Sequence, residues 1–351
     1  MLLLIDLAHN YVSAEVDTKG FTRFHRFTPE QISLYSNHFV FRLMAQTSAG
    51  TYLSFTTTGT EFSFQCQKNS LLKSMMKELG VLKSILILIL NFIGKVRKSN
   101  SNIGDTMADY FDIIVNGKLI SSVKPKNGII KIPLGNATKE PVQVKVYLPY
   151  LQRIKDFLSN GKIIADNTNK ELIFCMGDSI TQGCFSGKPS LSYVARLGEA
   201  LHVDALNLGV SGYIYDKASL NGLEALPKPK LITVAYDTND WSQFREYDTL
   251  RNNIRAYYAK LHTLYSDIPI YVITPLWRKD MNISKPCGKF EDVAHLIMEE
   301  TSPYSNITVI DGLRLVPHDS RYYSDRILHP NDQGFAILAK NLLQILPLQM
   351  M

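Results

Sequence analysis

No stretch of this chain stays apolar for long. The longest such run, Ser84 to Ile93, is about half of the ~20 residues that a transmembrane helix requires. Cysteine is scarce too. Cys66, Cys175, Cys184 and Cys287 show neither metal-ligand spacing nor the density of a disulfide scaffold. The opening Met1-Leu2-Leu3-Leu4-Ile5-Asp6 has no basic leader and no cleavage site, so no signal peptide is expected and a reducing cytoplasm is the expected compartment. A global positive field is also missing. The net charge is +6, but the segment from Lys68 to Lys98 holds seven basic residues against Glu78 alone and accounts for the whole excess. A nucleic-acid partner is therefore not expected.

What is present is a globular composition, 45% hydrophobic and 20% charged over 351 residues, enough for a sizeable core in two domains. Alternation of apolar and polar residues dominates the first domain, residues 1–165. His38–Leu43, Thr51–Phe55, Glu61–Cys66, Tyr110–Val115, Lys118–Val123, Gly128–Pro133 and Val142–Leu148 read as half-buried strands, with Asn116-Gly117 as a hairpin turn. Short strands at this spacing predict an antiparallel, jelly-roll-like β-sandwich. Residues 68–104 interrupt it with a basic and apolar excursion. A helix packed on the sandwich is favoured there over a membrane-contacting patch, because short apolar runs are more often core.

The second domain, residues 170–351, changes rhythm. Apolar runs at Leu172–Met176, Val203–Leu208, Leu231–Tyr236, Ile268–Thr274 and Ile307–Ile310 alternate with helical patterns. These are Ser190–Leu201, Lys217–Leu223, Thr249–Tyr265, Phe290–Glu300 and a last helix after His329. This predicts an α/β fold, a flavodoxin-like doubly wound parallel sheet of five strands.

Ligands in such sheets bind beyond the carboxyl ends of the strands. Four chemical parts fall there: Ser179 after the first strand, Gly209 in a glycine-rich loop after the second, Asn239 after the third, and His329 before the final helix. A serine, a backbone N–H, a side-chain amide and a histidine are what acyl transfer through a tetrahedral intermediate needs. Singly, Ser179 could be a helix cap, Asn239 a turn residue and His329 a surface side chain. Their joint arrival at one edge argues for chemistry. Trp241, Trp277 and Arg278 are candidates to line an acyl or sugar pocket, with packing as the alternative. For Cys184, beside the serine loop, a buried thiol is the expected state.

Gly177-Asp178-Ser179, Gly209, Asn239 and His329 resemble the four blocks of the SGNH/GDSL hydrolase superfamily, over about residues 170–347. A β-sandwich ahead of that domain is similar to the layout of bacterial carbohydrate esterases of the acetyl-esterase type. The resemblance implies a serine esterase that removes small acyl groups, such as O-acetyl, from a carbohydrate or related hydroxyl compound. It implies Ser179 as nucleophile, His329 as general base and acid, and Asp325 as the acid that orients His329. The N–H groups of Ser179 and Gly209 with the Asn239 amide would form the oxyanion hole. No metal or organic cofactor is implied. The expected partner is a small-molecule or oligosaccharide ester, with no membrane contact; the oligomeric state stays open. A lipase-like or thioesterase activity, or a sugar-binding protein without turnover, are the alternatives.

Two departures from the family pattern stand out. Asp237 replaces the glycine of the third block, and a carboxylate there is expected to oppose charge developing on the oxyanion. Three residues separate Asp325 from His329 where the family commonly has two, which leaves a Ser-His dyad open.

Overall fold

The computed structural model describes residues 3–68, 110–135, 140–166, 168, 170–243 and 246–347. The expected excursion at 68–104 falls almost wholly outside them. In the first half the chain forms β1 (Ala8–His9), β2 (Ser13–Val16), β3 (Thr22–His25), α1 (Pro29–Ser36), α2 (Phe39–Ala45), β4 (Tyr52–Thr57) and β5 (Glu61–Lys68). It continues with β6 (Phe111–Val115), β7 (Lys118–Val123), β8 (Gly128–Pro133), β9 (Val142–Tyr147), β10 (Gln152–Ser159) and β11 (Ile163–Ala165).

Two antiparallel sheets result, one ordered β1-β4-β9-β6-β7 with β11 beside β4, the other β2-β3-β10-β5-β8. Period-two alternation builds the core between them. Leu53, Phe55, Phe111, Ile113, Val144 and Val146 point inward from one sheet and Phe62, Phe64, Ile130, Ile132 and Ile154 from the other. Burying each such side chain contributes roughly 1.5–3 kcal/mol. The β6–β7 hairpin turns at Asn116 and Gly117, both with positive φ (47° and 76°), as the twist of a two-residue loop demands.

One expected strand is a helix. His38–Leu43 alternates, but the chain winds into α2 there. Leu43 and Ala45 are buried while Phe41 sets its ring edge-on against Tyr213 of the second half, 4.9 Å between centroids. Tertiary packing overrides the local pattern. The helix before it follows local rules: Thr28 caps α1, Gln31 closes the capping box and Pro29 opens the first turn.

The second half adds β12 (Leu172–Gly177), α3 (Ser179–Gln182), α4 (Tyr193–Leu201), β13 (Asp204–Gly209), β14 (Leu231–Ala235), α5 (Thr238–Ser242) and α6 (Tyr247–Leu264). Then come β15 (Ile270–Ile273), α7 (Phe290–Thr301), β16 (Ile307–Ile310) and α8 (Asp332–Leu343). All strands of this sheet are parallel, in the order β13-β12-β14-β15-β16. That is the flavodoxin-like order, with its switch point between β12 and β14. Alternate residues of β12 serve opposite faces: Ile173 and Cys175 join one core, Phe174 and Met176 the other. The stretch expected as a helix at Lys217–Leu223 is instead two short 3-10 turns, Lys217–Leu220 and Leu223–Ala225.

The outer face of the first sheet docks onto the second half. The Tyr52 hydroxyl donates to Asp204 at 2.7 Å, and Tyr147 and Lys145 both reach Glu199 at 2.7 Å. Phe27, Tyr35 and Ala45 from the α1–α2 region join the core on one face of the parallel sheet. Among the described residues no helix is long and apolar enough to cross a membrane.

Candidate active site

The site begins where β12 ends. A Cβ on Gly177 would lie 2.2 Å from Thr181 Oγ1 and 2.4 Å from the Ala235 carbonyl, so glycine alone fits under α3. Asp178 caps that helix, its Oδ1 accepting from the Ile180 N–H at 2.9 Å, and Gly183 ends it in the left-handed region at φ +85°. Between them Ser179 is held in place, 3% exposed.

The Ser179 Oγ lies 2.9 Å from His329 Nε2, and His329 Nδ1 lies 2.6 Å from Asp325 Oδ2. An ionised carboxylate only accepts, so the ring hydrogen sits on Nδ1 and the neutral imidazole presents a lone pair at Nε2 to the serine hydroxyl. The wider Asp325–His329 spacing is absorbed by the turn between them. Asp325 Oδ1 accepts from the N–H groups of Ile327, Leu328 and His329 at 2.9–3.1 Å, and Arg326 takes a left-handed φ of +61°. The loop is closed by the Ser324 N–H on the His329 carbonyl at 2.8 Å. Burial alone would raise the Asp325 pKa, but the His329 ring and the backbone N–H groups outweigh it and bring it down to about 2.

Of the three groups expected as oxyanion donors, Gly209 is already engaged. The Gly209 N–H donates to Asn207 Oδ1 at 3.0 Å, and a Cβ on Gly209 would lie 2.3 Å from the Gln182 nitrogen. Gly209 therefore packs under α3 and has no N–H to offer. Three residues on, Gly212 has φ +81°, donates its N–H to no hydrogen bond among the described residues, and faces open space apart from Phe41 at 3.5 Å from a would-be Cβ. Gly209 ends β13 and Gly212 lies in the loop beyond it, and nothing in the sequence says which N–H the Asn207 side chain claims. Asn239 is at the expected edge, its amide nitrogen donating to Asp178 Oδ2 at 3.2 Å and to the Tyr213 carbonyl at 3.0 Å.

Asp237 occupies the family's glycine position with φ +102°, a conformation that costs a residue with a side chain ~1–3 kcal/mol. It is 3% exposed and its Oδ2 has no hydrogen-bond partner. Burial first, then the neighbouring Asp178 and Asp240, push its pKa well above the ordinary carboxylate range. Burial thus favours the protonated form of the carboxyl expected to oppose the oxyanion. Burial also raises Asp178, to about 6, against the pull of the Ile180 N–H, His329 and Arg278.

Of the three candidates for a pocket, Trp241 and Arg278 are buried and Trp277 is half-buried. Trp241 is 0% exposed, gives its indole N–H to the Gly288 carbonyl at 3.3 Å and meets Phe290 edge-on. The Arg278 guanidinium lies over that indole at 4.7 Å and forks onto Asp280, Thr238 and Ser242. Trp277, half-buried, packs on Tyr323, 4.9 Å between centroids. Cys184 is a free, buried thiol, pushed up to about 12 by burial. Among the described residues no three metal-ligating side chains cluster.

Residues of the first half reach the site unannounced by sequence. Arg26 is 0% exposed and donates to the Asn207 carbonyl and Oδ1, the Gly209 carbonyl, the Met44 and Thr47 carbonyls and Thr47 Oγ1. No carboxylate among the described residues pairs with it, and burial lowers its pKa to about 10. Gln182 answers from α3, donating to Thr47 Oγ1 at 2.9 Å and accepting from the Ser211 N–H at 2.7 Å.

Comparison with known proteins agrees with this geometry. Residues 175–337 match the GDSL-like lipase/acylhydrolase family. A search of curated proteins finds no match to the chain. Among solved structures, a salicylyl-acyltransferase from a tetracycline biosynthetic pathway superposes with a TM-score of 0.73 at 16% identity, over 97% of this chain and 96% of the other. A family two carbohydrate esterase from Cellvibrio japonicus gives 0.63 at 14% identity, over 98% and 97%. An acetyl xylan esterase from Butyrivibrio proteoclasticus gives 0.59 at 14%, over 97% and 94%. At such identities the likeness is one of fold, here shared by both halves of the chain. The family match gives residues 175–337 as a GDSL-like lipase/acylhydrolase domain, a hydrolase of ester bonds, and the chain as a whole resembles the carbohydrate esterases in its architecture.

Proposed function

We propose that residues 1–165 and 170–351 are two domains of a serine esterase that removes small acyl groups, O-acetyl foremost, from a carbohydrate. The observation that carries the reading is the unbroken chain from Ser179 Oγ through His329 to Asp325, at 2.9 and 2.6 Å. In this mechanism Ser179 Oγ attacks the ester carbonyl carbon while its proton passes to His329 Nε2. The same proton goes to the departing alkoxide, releasing the alcohol and leaving an acyl-serine. Water, deprotonated by the same imidazole, then frees the acid. Asp325 holds the ring and offsets its transient charge.

The oxyanion would be met by the N–H groups of Ser179 and Gly212 and by the Asn239 amide. Asn239 enters this role by turning its longer bond, to Asp178, toward the substrate oxygen. Such donors are typically worth about 3–4 kcal/mol each in the transition state. The sugar preference leans on the fold shared with carbohydrate esterases, one of which, from Clostridium thermocellum, is described in complex with cellohexaose. The four cysteines are all buried, which supports a reducing compartment such as the cytoplasm.

A panel of p-nitrophenyl acyl esters and acetylated sugars, run with wild type and Ser179→Ala, tests the reading. Turnover that falls with acyl length and vanishes in the variant is expected. A preference for long chains would point to a lipase. Binding of acetylated sugar without turnover or fluorophosphonate labelling would leave a sugar-binding protein.

A further inference from the structure

Phe185 joins an unusual backbone to a contact with the proposed base. Its φ is +70°, left-handed, which bulky residues seldom adopt. Its ring lies on the His329 imidazole, centroids 4.2 Å apart and planes 23° from parallel. The segment that carries it is fixed at several points. The Cys184 N–H returns to the Ser179 carbonyl at 2.9 Å, and the Ser186 hydroxyl donates to the Gly183 carbonyl at 2.9 Å. The Ser324 hydroxyl donates to the Phe185 carbonyl at 3.0 Å, and the Gly187 N–H to Asp332 at 2.7 Å. The strand of chain leaving the nucleophile is thereby tied to the loop that carries the base. Strained conformations of this kind persist where the surroundings over-determine them, and they cluster at functional sites.

We propose that Phe185 is a positioning residue for His329: its ring face keeps the imidazole in line with Ser179 and stabilises it while it holds the serine proton. An aromatic face carries partial negative charge and attracts a cation laid over it. A neutral imidazole gains less from that face than the imidazolium formed once Nε2 has taken the proton. The contact is therefore stronger in the transition state than before it, which is the condition for raising kcat. This rests on Ser179 and His329 being the reacting pair.

The test uses the full chain with Phe185→Leu, Phe185→Tyr and Ser179→Ala, reading kcat and KM on p-nitrophenyl acetate together with Tm. Leucine keeps the bulk and loses the aromatic face; tyrosine keeps both. Leucine is expected to lower kcat about five- to fiftyfold with KM within twofold, and tyrosine to hold kcat within about threefold. Wild-type kcat in the leucine variant overturns the proposal, as does an equal loss in both variants or a loss confined to KM. If Ser179→Ala retains turnover, the reading of the site falls and this one with it. If Ser179→Ala is dead and leucine is fully active, Phe185 alone is refuted. Should leucine fail to fold, methionine takes its place under the same criteria.

Discussion

Three residues separate Asp325 from His329 in the chain, and Asp325 Oδ2 and His329 Nδ1 meet at 2.6 Å while the other carboxylate oxygen gathers three backbone N–H groups. One side chain builds the turn and orients the ring. Asp325→Asn should therefore disturb the tautomer and the charge of the relay together. We expect kcat to fall by about two to four orders of magnitude with a small change in KM. A loss below about tenfold would leave His329 as the partner of Ser179 in a dyad.

Asp178 and Asp325 should drive stability in opposite directions with pH. Asp178 titrates near 6 in the folded chain against an ordinary 3.8, so the native state holds a proton that the unfolded chain has released. That contribution is complete below about pH 4 and is lost as pH rises through 6, a change of up to about 3 kcal/mol. Asp325, near 2 when folded, contributes above about pH 4 and loses roughly 2 kcal/mol as pH falls through 2. Thermal melts of wild type and Asp178→Asn from pH 3 to 8 check the first. The variant should gain on wild type between pH 4 and 6; a constant gap would contradict it.

Asp237→Gly should stabilise the protein. Glycine takes φ +102° without strain and removes a buried carboxyl oxygen that has no partner. A gain of about 1–3 kcal/mol is expected, read as a rise in the urea midpoint. Because burial favours the protonated acid, turnover on small esters at neutral pH should stay within about threefold of wild type. A large rise in turnover would restore the idea of a charge opposing the oxyanion.

The parallel sheet was legible in the sequence to within two residues at most strand ends, because Val, Ile and Leu runs bounded by turn residues have few other uses. Legibility ended where the deciding contact is distant. His38–Leu43 alternates like a strand, and only the docking of Phe41 on Tyr213 makes a helix the better solution. Ser13–Val16, Thr22–His25 and Gln152–Ser159 carry too many polar residues to announce themselves as strands. Ser179 and Asn239 could be placed because strand ends place them, and Asp325 and His329 because they come just before the last helix. Gly212 and Phe185 could not, since an Asn207 side chain and a folded-back loop decide their surroundings. Trp241 and Arg278 lie at the right edge but turn toward one another.

The buried Arg26 has a consequence for anyone who would isolate the catalytic half. An expression clone starting near residue 170 would strip the Asn207 and Gly209 carbonyls of the donor they share, and would leave the Gln182 amide with nothing at Thr47 to grasp. The excised sheet would keep its serine and its histidine but surrender the brace behind its glycine loop. Grafting this catalytic half onto another scaffold means carrying along one arginine and the short bend at residues 44–47.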